Sequence, residues 1–161
     1  MVLVVGVVAG CGVEPARPPF AWPVGTHPTA ILADGSTDPQ WTEMVDAARA
    51  QWSAPLVAMG CADPFQGPDG SPVILVPDTE WTTPDSIGET SADRIVVKGT
   101  MAQELANGSH SSVLPHELGH ALGLEHVGAL RDPASIMHTP SDQTRPSAMD
   151  LDRAAETIGC R

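Results

Sequence analysis

His116-Glu117-Leu118-Gly119-His120-Ala121-Leu122-Gly123-Leu124-Glu125-His126 is the stretch on which the reading of this 161-residue chain turns. Two histidines four apart on a helix stand one turn above the other on a single face, so both imidazoles reach one ion. Glu117 sits beside the first of them, where its carboxylate can face water on that ion rather than the ion itself. Gly123 lets the chain leave the helix sharply, because glycine alone takes positive φ without steric cost. The turn then carries His126 back as a third ligand. Three protein ligands leave a fourth position for water, the mark of a catalytic zinc site rather than a closed structural one. Histidines scattered on a surface helix account poorly for so specific a spacing of a rare residue.

Outward from the motif, a helix is expected from Ser111 to Leu122. Pro115 fits it only in the first turn, where the backbone N–H has no intrahelical partner, so Ser112 is the expected N-cap. Downstream, Ser135-Ile136-Met137-His138 follows an Asp132-Pro133 turn, with Met137 eleven positions beyond His126. Together the long motif HExxHxxGxxH and this methionine resemble the metzincin clan of zinc metallopeptidases, and within it the matrixin-like members. The resemblance is specific over residues 112–140 and architectural elsewhere.

It implies an α+β, metzincin-like zincin fold: a twisted mixed β-sheet, a first helix, the active-site helix, a Met-turn and a C-terminal helix. It also implies one catalytic Zn2+ held by His116, His120 and His126, with Met137 as an apolar floor beneath the metal. The implied activity is that of an endopeptidase, hydrolysing peptide bonds through a zinc-activated water with Glu117 as general base. Peptide or protein substrate would lie extended against an edge strand, placed at 86–91, and the loop 138–146 would set selectivity.

The chain also departs from the clan. It has no tyrosine, so the extra tyrosine ligand that astacin-like and serralysin-like members place two residues beyond the methionine is missing, and Thr139 stands there. The cysteines that archaemetzincin-type members carry after the motif are absent, and no cysteine-switch propeptide is expected. Gly60-Cys61-Ala62-Asp63 has a faint likeness to such a switch, but it falls inside the domain. Cys61 and Cys160 are instead expected to form a disulfide, closing a loop of about 100 residues.

The remaining elements follow from periodicity and capping. A first strand is expected at 29–33. Asp38 caps a helix that Pro39 opens, with Trp41, Met44, Val45, Ala48 and Trp52 on its buried face. Strands are expected at 72–76, with Pro72 only at the start, and at 94–98. A short edge strand is expected at 86–90. The last helix begins near Ser147 with Asp150 as capping-box acid, and Met149, Ala154, Ala155 and Ile158 form its packing face.

Composition supports one folded domain. With 20 acidic against 8 basic residues the net charge is −12. No Lys/Arg cluster offers itself to phosphates, so nucleic acid is excluded as a partner. Ca2+ is unsupported, because no Asp-x-Asp-x-Asp-Gly loop occurs. Residues 1–10, MVLVVGVVAG, are too short for a bilayer span of about 20 residues but suit the apolar region of an export signal. Val8-Ala9-Gly10-Cys11 resembles a bacterial lipobox, although no Lys or Arg precedes it, and makes Cys11 the candidate lipidation site.

The expected organisation is therefore a signal at 1–10, a Pro-rich tether at 11–23 and a metallopeptidase domain at 24–161. The protein is expected to be exported, either as a membrane-anchored lipoprotein or secreted, and monomeric, with the lipid as its only membrane contact. His27 and His110 are expected to be exposed or locally bonded, His138 is given no role, and Glu125 is read as a surface charge. A competing reading of the same residues is a lipid-anchored, non-catalytic zinc-binding or adhesion module. A weaker one is zinc-dependent amide hydrolysis of a non-protein substrate.

Overall fold

Val73, Ile95 and Val97 are wholly shielded from solvent and mark the centre of a four-stranded mixed sheet. The computed structural model describes residues 18–84, 86–100, 112–128, 130–138 and 143–161. The export signal, Cys11, most of the tether, His110, Ser111, Thr139 and most of the front of the 138–146 loop lie outside the described residues. The strands are β1 (His27–Leu32), β2 (Gly70–Val76), β3 (Gly88–Thr90) and β4 (Ile95–Lys98), in the spatial order β1-β2-β4-β3. β1, β2 and β4 run parallel, while β3 pairs antiparallel with β4 at the sheet's edge. The α+β class and the mixed sheet agree with expectation.

Several strand boundaries differ from the sequence reading: β3 begins at Gly88 rather than Ser86 and β4 at Ile95 rather than Arg94. β1 begins at His27 rather than Thr29, and β2 begins at Gly70, which puts Pro72 inside the strand. Pro72 is tolerated because pairing with β4 starts only at Val73, leaving one flank of β2 open where the ring has no N–H to give.

Helix α1 (Pro39–Ala58) starts as its sequence dictates: Asp38 Oδ1 accepts from the Trp41 N–H at 2.7 Å, and proline fills the first helical position. Trp41, Val45, Ala48 and Trp52 are buried as expected, with Met44 partly so. The two indoles also carry polar tasks. Trp41 Nε1 donates to the Val73 carbonyl at 3.0 Å, tying α1 to the sheet, and Trp52 Nε1 donates to the Pro115 carbonyl at 2.8 Å. The second bond locks α1 to helix α2 (Val113–Ala121), which carries most of the motif.

The last helix, α3 (Ala148–Thr157), begins with the expected capping box between Ser147 and Asp150. Its packing face is the expected one through Ala154, Ala155 and Ile158 but not at Met149. Met149 is 40% exposed, whereas Asp150 is fully buried with Ala154 and Ala155. The inward stripe thus runs through a carboxylate, which a search for apolar periodicity passes over.

α1 and α3 end alike. Cys61 N–H bonds back to Leu56 and Cys160 N–H to Ala155, the six-to-one closure of a Schellman turn. Each turn delivers its cysteine to the other, and Cys61–Cys160 is a disulfide with Cα atoms 5.4 Å apart, as expected. Closing so long a loop contributes about 2–5 kcal/mol.

Residues 18–23 correct the tether reading. Trp22 is 2% exposed. Its N–H donates to the Ala121 carbonyl at 2.8 Å and its indole to the Ser91 carbonyl at 2.9 Å. The prolines hid this segment's anchoring aromatic. Among the described residues no helix is long and apolar enough to cross a membrane.

Candidate metal centre

The backbone of α2 positions His116, Glu117 and His120. Pro115 lies in its first turn, as anticipated, and Ser112 opens the helix, although its side chain makes no capping bond to that turn. The helix ends at Gly123, whose φ of 95° reverses the chain. Gly123 N–H bonds to the His120 carbonyl at 2.7 Å and Leu124 N–H to the Gly119 carbonyl at 3.0 Å. That closure turns the chain back on itself and brings His126 to the two helical histidines. Val127 N–H then donates to the Met137 carbonyl at 3.0 Å, fastening the returning segment to the methionine turn.

The three imidazoles converge. His126 Nε2 stands 3.1 Å from Nε2 of His116 and 3.1 Å from Nε2 of His120. Their protonation follows from the other ring nitrogens. His116 Nδ1 meets the Ile136 carbonyl at 2.7 Å, and His120 Nδ1 meets the Leu124 carbonyl at 2.7 Å. A carbonyl oxygen only accepts, so both Nδ1 atoms carry the proton and both Nε2 atoms are lone pairs. Both lone pairs point at the His126 Nε2, so the three nitrogens stand where one cation could join them.

The donor set fits one. Nitrogens bound at ~2.0–2.1 Å around a tetrahedral ion lie about 3.3 Å apart, close to the spacing seen. Burial also holds the His116 imidazole below its usual range and pushes His120 down to about 4, the carbonyl bonds opposing and neighbouring imidazoles reinforcing the shift. Both are thus held in the neutral form that a metal ion would require of them. The group can hold a metal ion.

Glu117 stands on the same helix and is 6% exposed. Burial pushes its carboxyl up to about 7; the Thr90 hydroxyl pulls the other way, and the nearby Glu89 charge adds to burial. Glu117 lines an open cleft of about 710 Å³ together with the three histidines, His138 and residues of β3. β3 is the edge strand expected at 86–90, and it runs along this cleft. Glu89 and Glu117 are the only ionisable groups besides histidines that line the cleft among the described residues.

Met137 is fully buried against α2. A Cβ at position 119 would overlap its sulfur and strike the Trp52 ring, so only glycine allows this approach. His27 is half-buried and bonds to the Phe65 carbonyl, 38 residues away, at 3.3 Å rather than locally, Glu125 is exposed, and neither joins the site.

Three contributors escaped the sequence reading. Phe20 sets its ring edge to face with His120 at 5.5 Å between centroids, from the segment read as tether. Thr90 bonds to Glu117 across 27 residues of sequence. Asp150 is the third. Its carboxylate accepts from Ser135 Oγ at 2.6 Å, from Ile136 N–H at 2.9 Å and from Ser147 N–H at 3.0 Å. Since the Ile136 carbonyl in turn receives His116 Nδ1–H, Asp150 orients the His116 imidazole at one remove.

Asp150→Ala is therefore expected to lose about 3–5 kcal/mol of stability, because a buried cluster of donors is left unpaired. It should also weaken metal binding about 10- to 100-fold. Thermal unfolding and a metal titration measure the two effects, and a variant that matches the parent in both removes Asp150 from the centre. No model of a known protein family matches the chain, and no curated protein matches it either.

Proposed function

We propose that this chain is a zinc-dependent endopeptidase of metzincin-like, matrixin-like architecture, exported and acting as a monomer on peptide or protein substrates. One observation carries the reading: three imidazole Nε2 atoms meet at the floor of an open cleft, with a buried carboxylate on the neighbouring residue. A structural site has no use for that carboxylate or for the open approach. Three imidazoles suit Zn2+ among the abundant divalent ions. Zinc bound there supplies a Lewis acid for the scissile carbonyl and for water at neutral pH.

The protein's own groups do the rest. The N–H and C=O groups on the outer flank of β3 receive the substrate backbone as an added strand and hold the scissile bond over the histidines. Glu117 accepts a proton from the attacking water at its carboxylate and returns one to the leaving amine nitrogen. A carboxyl whose affinity for protons is raised by burial suits both halves of that transfer. The Cys61–Cys160 disulfide fits an oxidising compartment.

A mixed peptide library offered to zinc-loaded and to chelated protein, beside simple non-peptide amides, tests the reading. Cleavage of internal peptide bonds by the zinc form alone is expected. Stoichiometric zinc with no cleavage would leave only a binding module.

A further inference from the structure

Resting on the peptidase reading above, we propose that Thr90 is the positioning residue for the Glu117 carboxylate, holding one oxygen so that the other is free to exchange protons in the cleft. Three observations combine. Thr90 Oγ1 donates to Glu117 Oε2 at 2.6 Å, and it also lies 3.1 Å from the carbonyl oxygen of the same residue. The hydroxyl is thus seated between backbone and side chain of Glu117, and fixes the carboxylate relative to α2. Oε1 has no hydrogen-bond partner among the described residues and packs against Gly88, where an added Cβ would stand 2.8 Å from it.

β3 supplies both features because alternate strand residues share a face. Gly88 and Thr90 turn toward α2, one giving room and the other giving a hydroxyl. A side chain at 88 would push the carboxylate out of this socket, and an apolar one at 90 would release it.

The arrangement also survives the reaction. When Oε1 takes a proton from water, Oε2 remains an acceptor, so the Thr90 O–H bond persists and the carboxyl keeps its orientation until the proton passes to the amine. Without Thr90 the carboxyl can rotate, and either oxygen can turn from the cleft. The base is then misplaced for part of the time, which lowers turnover and leaves substrate docking intact.

Thr90→Val keeps the β-branched shape and removes the hydroxyl, while Thr90→Ser keeps the hydroxyl. In zinc-loaded protein, Thr90→Val is expected to lower kcat about 10- to 100-fold with KM and zinc stoichiometry held, and Thr90→Ser to recover most of the loss. Crystal structures of both variants give a readout independent of activity: the Glu117 carboxylate leaves its position in Thr90→Val and keeps it in Thr90→Ser. Unchanged kcat in Thr90→Val, an equal loss in Thr90→Ser, or an unmoved carboxylate overturns the assignment. If the zinc-loaded parent cleaves no peptide, it is the peptidase reading that fails, and the carboxylate position in the variants still decides what Thr90 does.

Discussion

Glu117→Gln is expected to bind one zinc ion as the parent does and to lose at least about 100- to 10,000-fold in kcat, the span that a positioned general base contributes. The change is close to isosteric. The amide oxygen can still accept the Thr90 hydroxyl, and no histidine loses a partner, so the metal centre should stand unaltered. What disappears is the ability to accept a proton. Folding offers a control, because a carboxyl that burial has pushed up to about 7 is costly to keep ionised in the folded state. A neutral amide there should hold or raise the thermal midpoint, so lost turnover cannot be ascribed to unfolding. Stopped or steady-state assays on one cleaved peptide, with zinc measured on the same samples, decide the matter. Full activity in Glu117→Gln would sink the base assignment while leaving the metal site intact.

What the sequence revealed about this site and what it hid divide along a physical line. The histidine pattern, Glu117, Gly123 and the Ser147 capping box are set by contacts within a turn or two of helix, and spacing alone exposes them. The Met137 position is nearly as local. Thr90 could not be found this way, because nothing near residue 90 announces a partner at 117; only the sheet's order brings the edge strand beside α2. Asp150 was seen as a cap and missed as an anchor, since its capping oxygen also serves Ile136 and its other oxygen serves Ser135. Phe20 and Trp22 were obscured by surrounding prolines, which predict irregular backbone correctly and say nothing about where that backbone packs. Pro72 inside β2 is the converse case: the rule against proline in a strand yields where one flank is unpaired.

His126→Ala is the variant that isolates the metal. The other two histidines stand half-shielded on a rigid helix, but His126 is exposed and arrives by way of the Gly123 turn, so its removal should cost little folding energy in the metal-free protein. Zinc affinity should nevertheless fall by more than the 10- to 100-fold typical of losing an outer-shell partner, because a bond to the ion itself is gone. Thermal unfolding reads this directly. With free zinc about a thousandfold above Kd, the parent gains about 4 kcal/mol from mass action, and His126→Ala should gain almost none of it. His138→Ala provides the contrast, since His138 lines the same cleft outside the triad and should leave the zinc-dependent shift in place. Equal shifts in parent and His126→Ala would strike His126 from the ligand set, and with two imidazoles left the argument for a catalytic ion would fall too. If instead the shift vanishes only for the triad, the convergence of three imidazole nitrogens has its physical explanation: they stand close because one cation draws them together.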